Sequence, residues 1–203
     1  DIERIEVVRG TNAVSYGSNA FLGVINIITV DPSLVRGVSV STSYGNQNVR
    51  DYSLRTGGRI GEGGDFRFTF KQQNDDGLAN KYDWIDSYFS RLFDFRADFA
   101  LSEKDSLQFS MGQVDGVTQA GRLYADELFG QSTNPIRNVR QTNTYAQFVW
   151  RRALSPSSDL QVRYSYMQDR SSDAFTIVIP ILPPGQQVIN VNQTGDEGTR
   201  HEI

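Results

Sequence analysis

His201 is the single histidine of the chain, and there is no cysteine. A Ser–His–acid hydrolase needs an imidazole held beside its nucleophile. His201 stands at the start of a strand pattern with no such frame around it, so hydrolysis is not expected. The lack of cysteine removes a disulfide framework, a thiolate zinc site and thiol catalysis. Asn74-Asp75-Asp76-Gly77, with Asp83 and Asp86, offers the oxygen donors that Ca²⁺ takes. Their spacing departs from the EF-hand loop, and a solvated turn is the expectation. Gly58-Arg59-Ile60-Gly61-Glu62-Gly63-Gly64 has the glycine density of a phosphate loop. It joins two alternating strands and opens no helix, which makes it a turn. A net charge of −4 gives no reason to expect a nucleic-acid partner. Neither a metal nor another cofactor is expected.

The remaining charges of interest lie inside an apolar stretch. Arg4, Glu6 and Arg9 are set in IERIEVVRG, and Asn26 interrupts GVINIIT. The runs Ile5–Val8 and Val24–Thr29 flank a turn region around Tyr16-Gly17-Ser18-Asn19. Val- and Ile-rich runs with little polar alternation suit short strands covered on both faces. Enclosed charges are costly unless paired, and a buried amide needs hydrogen-bond partners. The segment is therefore expected to sit inside something that supplies them.

Beyond Thr29 the grammar of the chain changes. Asp31-Pro32-Ser33 reads as a linker, and from Arg36 the pattern becomes strict alternation. Val38, Val40, Thr42 and Tyr44 share a face, as do Tyr52, Leu54 and Thr56, and then Phe66, Phe68 and Phe70. Phe93, Phe95, Ala97 and Phe99 continue the scheme, succeeded by Leu107, Phe109 and Met111, then Ala146, Phe148 and Trp150, then Leu160, Val162, Tyr164 and Tyr166. About seven strands are legible, with another expected near Arg200. Each is expected to span about 9–11 residues, the length a tilted strand needs to cross a bilayer. Short turns near Gly61–Gly64, Ser102–Asp105 and Ser155–Asp159 alternate with long connections at Asn74–Tyr88, Asp115–Arg140 and Arg170–Thr199, apart from the short first connection at Gly45–Asn48. Outer-membrane barrels sort their loops in this way, and soluble sandwiches have no reason to.

IERIEVVRG followed by YGSNAFLGVINIIT resembles the closing segment of the plug domain of TonB-dependent outer-membrane receptors. The likeness covers about 28 residues, with Gly10, Tyr16, Gly17 and Asn26 among its marks. Thr11 stands where such families often carry Pro. The resemblance implies an all-β fold: the C-terminal end of a plug over residues 1–33, then about 7–8 antiparallel transmembrane strands of a larger barrel over 34–203. It implies binding and plug-gated passage of a scarce ligand, such as a ferric siderophore or cobalamin, across the outer membrane of a Gram-negative bacterium. Energy would come through TonB, by way of an N-terminal box, and no bond chemistry is involved. The family's plug residues make polar contacts with the barrel wall. That role falls here to Arg4, Glu6 and Arg9, with Asp51, Arg55, Asp94, Arg96 and Asp98 as candidate lumen partners.

Asp1 in place of Met, and a strand pattern still running at Ile203, lead to the expectation that a longer protein surrounds this stretch. An arginine on a lipid face costs roughly 2–4 kcal/mol near the midplane. Arg67, Lys71, Arg96 and Arg163 must then face the lumen, and the Phe-rich face must meet lipid. On that basis Phe68→Arg should impair assembly and Thr69→Arg should be tolerated. The alternatives are a small structural or adhesive outer-membrane barrel and a soluble sugar-binding β-sandwich. An eight-stranded barrel fills its interior with side chains and has no room for the opening segment.

Overall fold

The computed structural model describes residues 1–10, 22–78, 86–121, 127–128, 131–132, 135–181 and 185–202. The opening segment forms a hairpin of its own, with β1 (Ile2–Arg9) antiparallel to β2 (Gly23–Thr29). Glu6 lies opposite Asn26, and Val7 opposite Ile25. Gly10 has φ +100° and donates its N–H to the carbonyl of Leu22 at 3.2 Å, a backbone conformation that glycine adopts without penalty. A single 3-10 turn, Pro32–Leu34, ends the segment. Asp31 caps it, its Oδ1 accepting from Ser33 N at 2.8 Å and Ser33 Oγ at 2.7 Å. These bonds hold the Asp31 carboxyl below the usual carboxylate range.

Eight further strands form one antiparallel sheet. They are β3 (Gly37–Tyr44), β4 (Arg50–Ile60), β5 (Gly64–Asp75), β6 (Tyr88–Ala100), β7 (Asp105–Ala120), β10 (Arg137–Ser155), β11 (Ser158–Ile181) and β12 (Gly185–Glu202). The two-residue strands β8 (Glu127–Leu128) and β9 (Gln131–Ser132) pair within the β7–β10 connection. Chain order is sheet order, β3 at one edge and β12 at the other. The turns 61–63, 101–104 and 156–157 fall on one rim. The ends of β5 and β6, of β7 and β10, and of β11 and β12 that are joined by 76–87, 121–136 and 182–184 lie at the other, with the 45–49 turn.

The last hairpin corrects an expectation. The returning strand begins at Gly185, not near Arg200, and β11 runs on to Ile181. Residues 168–173 and 192–199 are almost wholly polar and carry no apolar alternation to read. Ladder pairing needs only backbone donors and acceptors, and the register runs unbroken except for a shift at Ser171/Ser172.

Side chains sort cleanly between the two faces of the large sheet. Phe68 lies opposite Phe95, and the row continues through Met111, Ala146 and Tyr166. On the other face Arg67 lies opposite Arg96, and that row continues through Ser110, Gln147 and Ser165. The most buried large side chains are Arg67 and Thr69, each 1% exposed, whereas Val38 and Val40 on the opposite face are 72% and 69% exposed. A soluble sandwich would invert that distribution.

The apolar belt also drifts across the sheet. It is centred between Val40 and Thr42 on β3 and between Val162 and Tyr164 on β11. Following the register, the shift is about six residues over six strand-to-strand steps. At about 3.3 Å per residue and about 4.8 Å per step, that is roughly 20 Å in 29 Å, a tilt of about 35°. Barrel strands tilt by such an angle to their axis.

Candidate functional site

The hairpin β1–β2 lies against the polar face of the sheet, and its contacts with that face gather at its base. Arg67, on β5, donates from Nη1 to the carbonyl of Val30 at 2.6 Å and from Nη2 to Asp94 Oδ1 at 2.7 Å. Its Nε lies 3.5 Å from Asp1 Oδ2, within ion-pair reach but without a hydrogen bond. Thr69 Oγ1 donates to Asp1 Oδ2, and Arg55 Nη1 reaches Asp1 Oδ1 at 3.4 Å. Arg96, on β6, donates from Nη1 to Thr29 Oγ1 at 3.0 Å and to the Thr29 carbonyl at 3.3 Å. Its other nitrogens form a fork on Asp98, at 3.0 and 2.6 Å. A guanidinium matches a carboxylate in this bidentate way and can still reach a backbone oxygen.

The hairpin's own charges do something else. Arg4 Nε donates to Glu6 Oε1 at 2.8 Å and Arg4 Nη1 to Glu3 Oε1 at 2.7 Å. Asn26 Nδ2 donates to Glu6 Oε2 at 3.1 Å. Arg4 and Asn26 hold the Glu6 carboxyl below its ordinary range. Arg4, Glu6 and Asn26 thus satisfy one another across the hairpin, while Arg9 lies exposed opposite Gly23. Tyr16 and Gly17 lie outside the described residues.

Among the sheet residues singled out from sequence, Arg55, Asp94, Arg96 and Asp98 take part in the interface around the hairpin base. Asp51 faces the same side, but its Oδ1 is buried with no hydrogen bond among the described residues. Arg55 and Arg96 meet Asp1 and Thr29 rather than Glu6. Thr69→Arg cannot be benign, because the Thr69 side chain is covered and bonded to Asp1. Facing the lumen did not mean facing water.

Sequence reasoning missed Asp1, Thr29 and the Val30 carbonyl as contact groups, and Tyr145, whose hydroxyl donates to Asp94 Oδ2. No pattern marks a backbone carbonyl. Tyr145 reads only as one residue on a polar face. Beyond the base, a cleft of about 670 Å³ separates β2 from the sheet. Its charged lining is Arg4, Arg67, Arg96, Arg151 and Arg163 against Asp94, a markedly cationic wall. Among the described residues no group of three or more His, Cys, Asp or Glu gathers to hold a metal. Of the candidate Ca²⁺ ligands, Asp83 is outside the described residues, Asp75 accepts from Gly77 N at 2.7 Å and Asp86 from Leu78 N at 2.8 Å. No helix among the described residues is long and apolar enough to cross a membrane, which says nothing about strands.

No protein-family model matches the chain. Among curated proteins it is 41% identical over 76 residues to the vitamin B12 transporter BtuB of Vibrio cholerae, a match covering 37% of this chain and 12% of that protein. BtuB of Vibrio vulnificus is 36% identical over 76 residues. BtuB of Photobacterium profundum is 35% identical over 78 residues, 13% of its length. The matched stretch is thus about an eighth of these relatives. Among solved structures, the open form of the ferric-catecholate import receptor Fiu from E. coli K12 superposes with a TM-score of 0.68 at 14% identity, covering 95% of this chain and 34% of that one. That likeness concerns the fold, and it runs through both the hairpin and the sheet. An apolar outward belt, a polar inner face and these likenesses support a fragment of a TonB-dependent outer-membrane receptor.

Proposed function

We propose that the protein containing this chain takes up a scarce small ligand across the outer membrane by binding and plug-gated passage energised through TonB. In this reading residues 1–33 are the end of the plug and 34–203 the first strands of the barrel around it. The observation that carries the reading is the burial of Arg67 against the hairpin base, on a sheet whose other face is a tilted apolar belt. A cation 1% exposed in a lumen makes sense where a second element of the same protein fills that lumen. Wall and hairpin then form one polar interface that separates the two sides of the membrane.

The ligand class is the open choice between a cobalamin, as the names of the curated relatives suggest, and a ferric siderophore, as that of the Fiu receptor suggests. The test uses the full-length receptor in an outer-membrane host lacking its own receptors, with and without TonB. Labelled cyanocobalamin and a labelled ferric tris-catecholate are the probes. Accumulation of one probe that disappears with TonB is expected. Accumulation indifferent to TonB would overturn the reading.

A further inference from the structure

Following the register across the inner face picks out one row: Arg55 on β4, Thr69 on β5, Asp94 on β6, Gly112 on β7 and Tyr145 on β10. Each is directly opposite the next. Four carry polar side chains that engage the hairpin base or the group that holds it. Arg55 and Thr69 both bind Asp1. Asp94 accepts from Arg67 on one oxygen and from Tyr145 on the other. Arg67, two residue pairs along the ladder and on the same face, carries the hold on to the Val30 carbonyl.

Gly112 is the member with no side chain, and its place in the row explains why. A Cβ there would lie 2.5 Å from Cε1 and 3.0 Å from Cζ of Tyr145, and 2.8 Å from the carbonyl oxygen of Phe93. Tyr145 and Asp94 are on strands separated by β7, so the phenol must lie across β7 to reach the carboxylate. Only a bare position lets it. The ring covers the glycine, and its hydroxyl arrives at the free oxygen of Asp94. With both oxygens used, Asp94 is held in place for Arg67, whose charge has almost no water to fall back on.

The geometry points to this row, acting through Arg67, as a fixed anchor for the base of β1–β2, so that the base stays docked while opening movements take place toward the Arg9–Gly23 end. The inference rests on reading the hairpin as the end of a plug. One contrast within the hairpin carries it. The bonds to the wall gather at Asp1, Thr29 and Val30, with the Asp1 side chain 9% exposed, and the charges farther along turn to one another. Tyr145 and Gly112 are thus positioning residues, acting on the hairpin only through Asp94 and Arg67.

The Val30 amide is a direct reporter, because it donates to the Asp1 carbonyl at 2.9 Å and closes the hairpin at its base. Hydrogen exchange of the full-length receptor is compared for the unmodified protein, Arg67→Ala, Tyr145→Phe and the control Ser110→Ala. Arg67→Ala is expected to speed exchange at Val30 by at least about tenfold, and Tyr145→Phe by about threefold or more. Ser110→Ala should stay within about twofold, and the wall amides of Phe68 and Phe95 should not change in any variant. Val7 and Ile25 should respond less than Val30. Should Arg67→Ala fail to assemble, Tyr145→Phe decides alone, since its ring can still cover Gly112. Unchanged exchange at Val30 in the assembled variants overturns the anchor, and so does acceleration of Val7 and Ile25 equal to that of Val30. Exchange is independent of transport, so loss of TonB-dependent uptake would count only against the functional reading.

Discussion

Arg67 and Phe68 are neighbours in sequence with opposite obligations. Arg67 points into a polar seam where three acceptors surround it, and removing a partner from such a buried charge costs about 3–5 kcal/mol. Phe68 points outward, its ring 5.4 Å from that of Phe93. Phe68→Arg is therefore expected to block barrel assembly, at roughly 2–4 kcal/mol if the site lies near the midplane. Ser41→Arg, on the inner face of β3, puts its charge away from the apolar belt and should assemble normally. Heat-modifiable migration of the full-length protein on a gel distinguishes the two, and equal migration shifts would remove the assignment of faces. Gly57 makes a second demand at this scale. A Cβ there would lie 1.9 Å from the Val35 carbonyl oxygen, in the linker that passes over β4. Gly57→Ala must push the linker off the wall, and the ion pair of Arg36 with Asp65 at 3.2 Å should go with it. Faster proteolysis within residues 31–36 of the folded receptor is the expected sign.

Among the elements, the β10–β11–β12 group extends well past the apolar belt. Arg137 on β10 forks onto Asp173 of β11, with Nε at 2.6 Å from Oδ1 and Nη2 at 2.7 Å from Oδ2. Its guanidinium carbon sits 3.9 Å from the ring centroid of Phe175. This clasp ties the long final hairpin to the rest of the sheet, about seven residues beyond the belt on β11. The bond to Arg137 holds the Asp173 carboxyl below its ordinary value. A depressed carboxylate contributes stability above its unfolded pKa, near 3.9, and loses it as pH falls through the folded value. The clasp should thus be intact at pH 7 and pH 5 and release only below about pH 4. In Asp173→Asn it should be weakened at every pH. Protease sensitivity of the hairpin, followed from pH 7 to pH 3, checks both. A release beginning near pH 6 would contradict the assignment.

For the molecule as a whole, tilt and loop sorting point the same way. A belt that drifts by about one residue per strand follows from tilted strands crossing a slab of fixed thickness. The three tight turns share a rim with the linker that leads from the hairpin into β3, and the two long connections, 76–87 and 121–136, belong to the opposite rim together with two short ones. The full-length protein is expected in the detergent phase on phase partitioning, and recovery of a folded, water-soluble monomer would be incompatible with the belt.

Fold and faces were legible in the sequence, because strict alternation of Phe, Leu and Tyr with Arg, Thr and Ser leaves a strand only one way to turn. Turn residues then told one rim from the other. The opening hairpin was legible through the apolar runs of IERIEVVRG and GVINIIT, and so was the need to pair its charges. Which partners they take was not. Arg4, Glu6 and Asn26 lie close enough in the folded hairpin to satisfy one another, and strand register alone decides that. The anchor at the base came only from tertiary structure. It joins residues as far apart as Asp1, Asp94 and Tyr145, uses a backbone carbonyl that no side-chain pattern reports, and depends on an empty space at Gly112. Periodicity is a local property that each strand carries by itself, whereas a contact across five strands exists only once the sheet has formed against its hairpin.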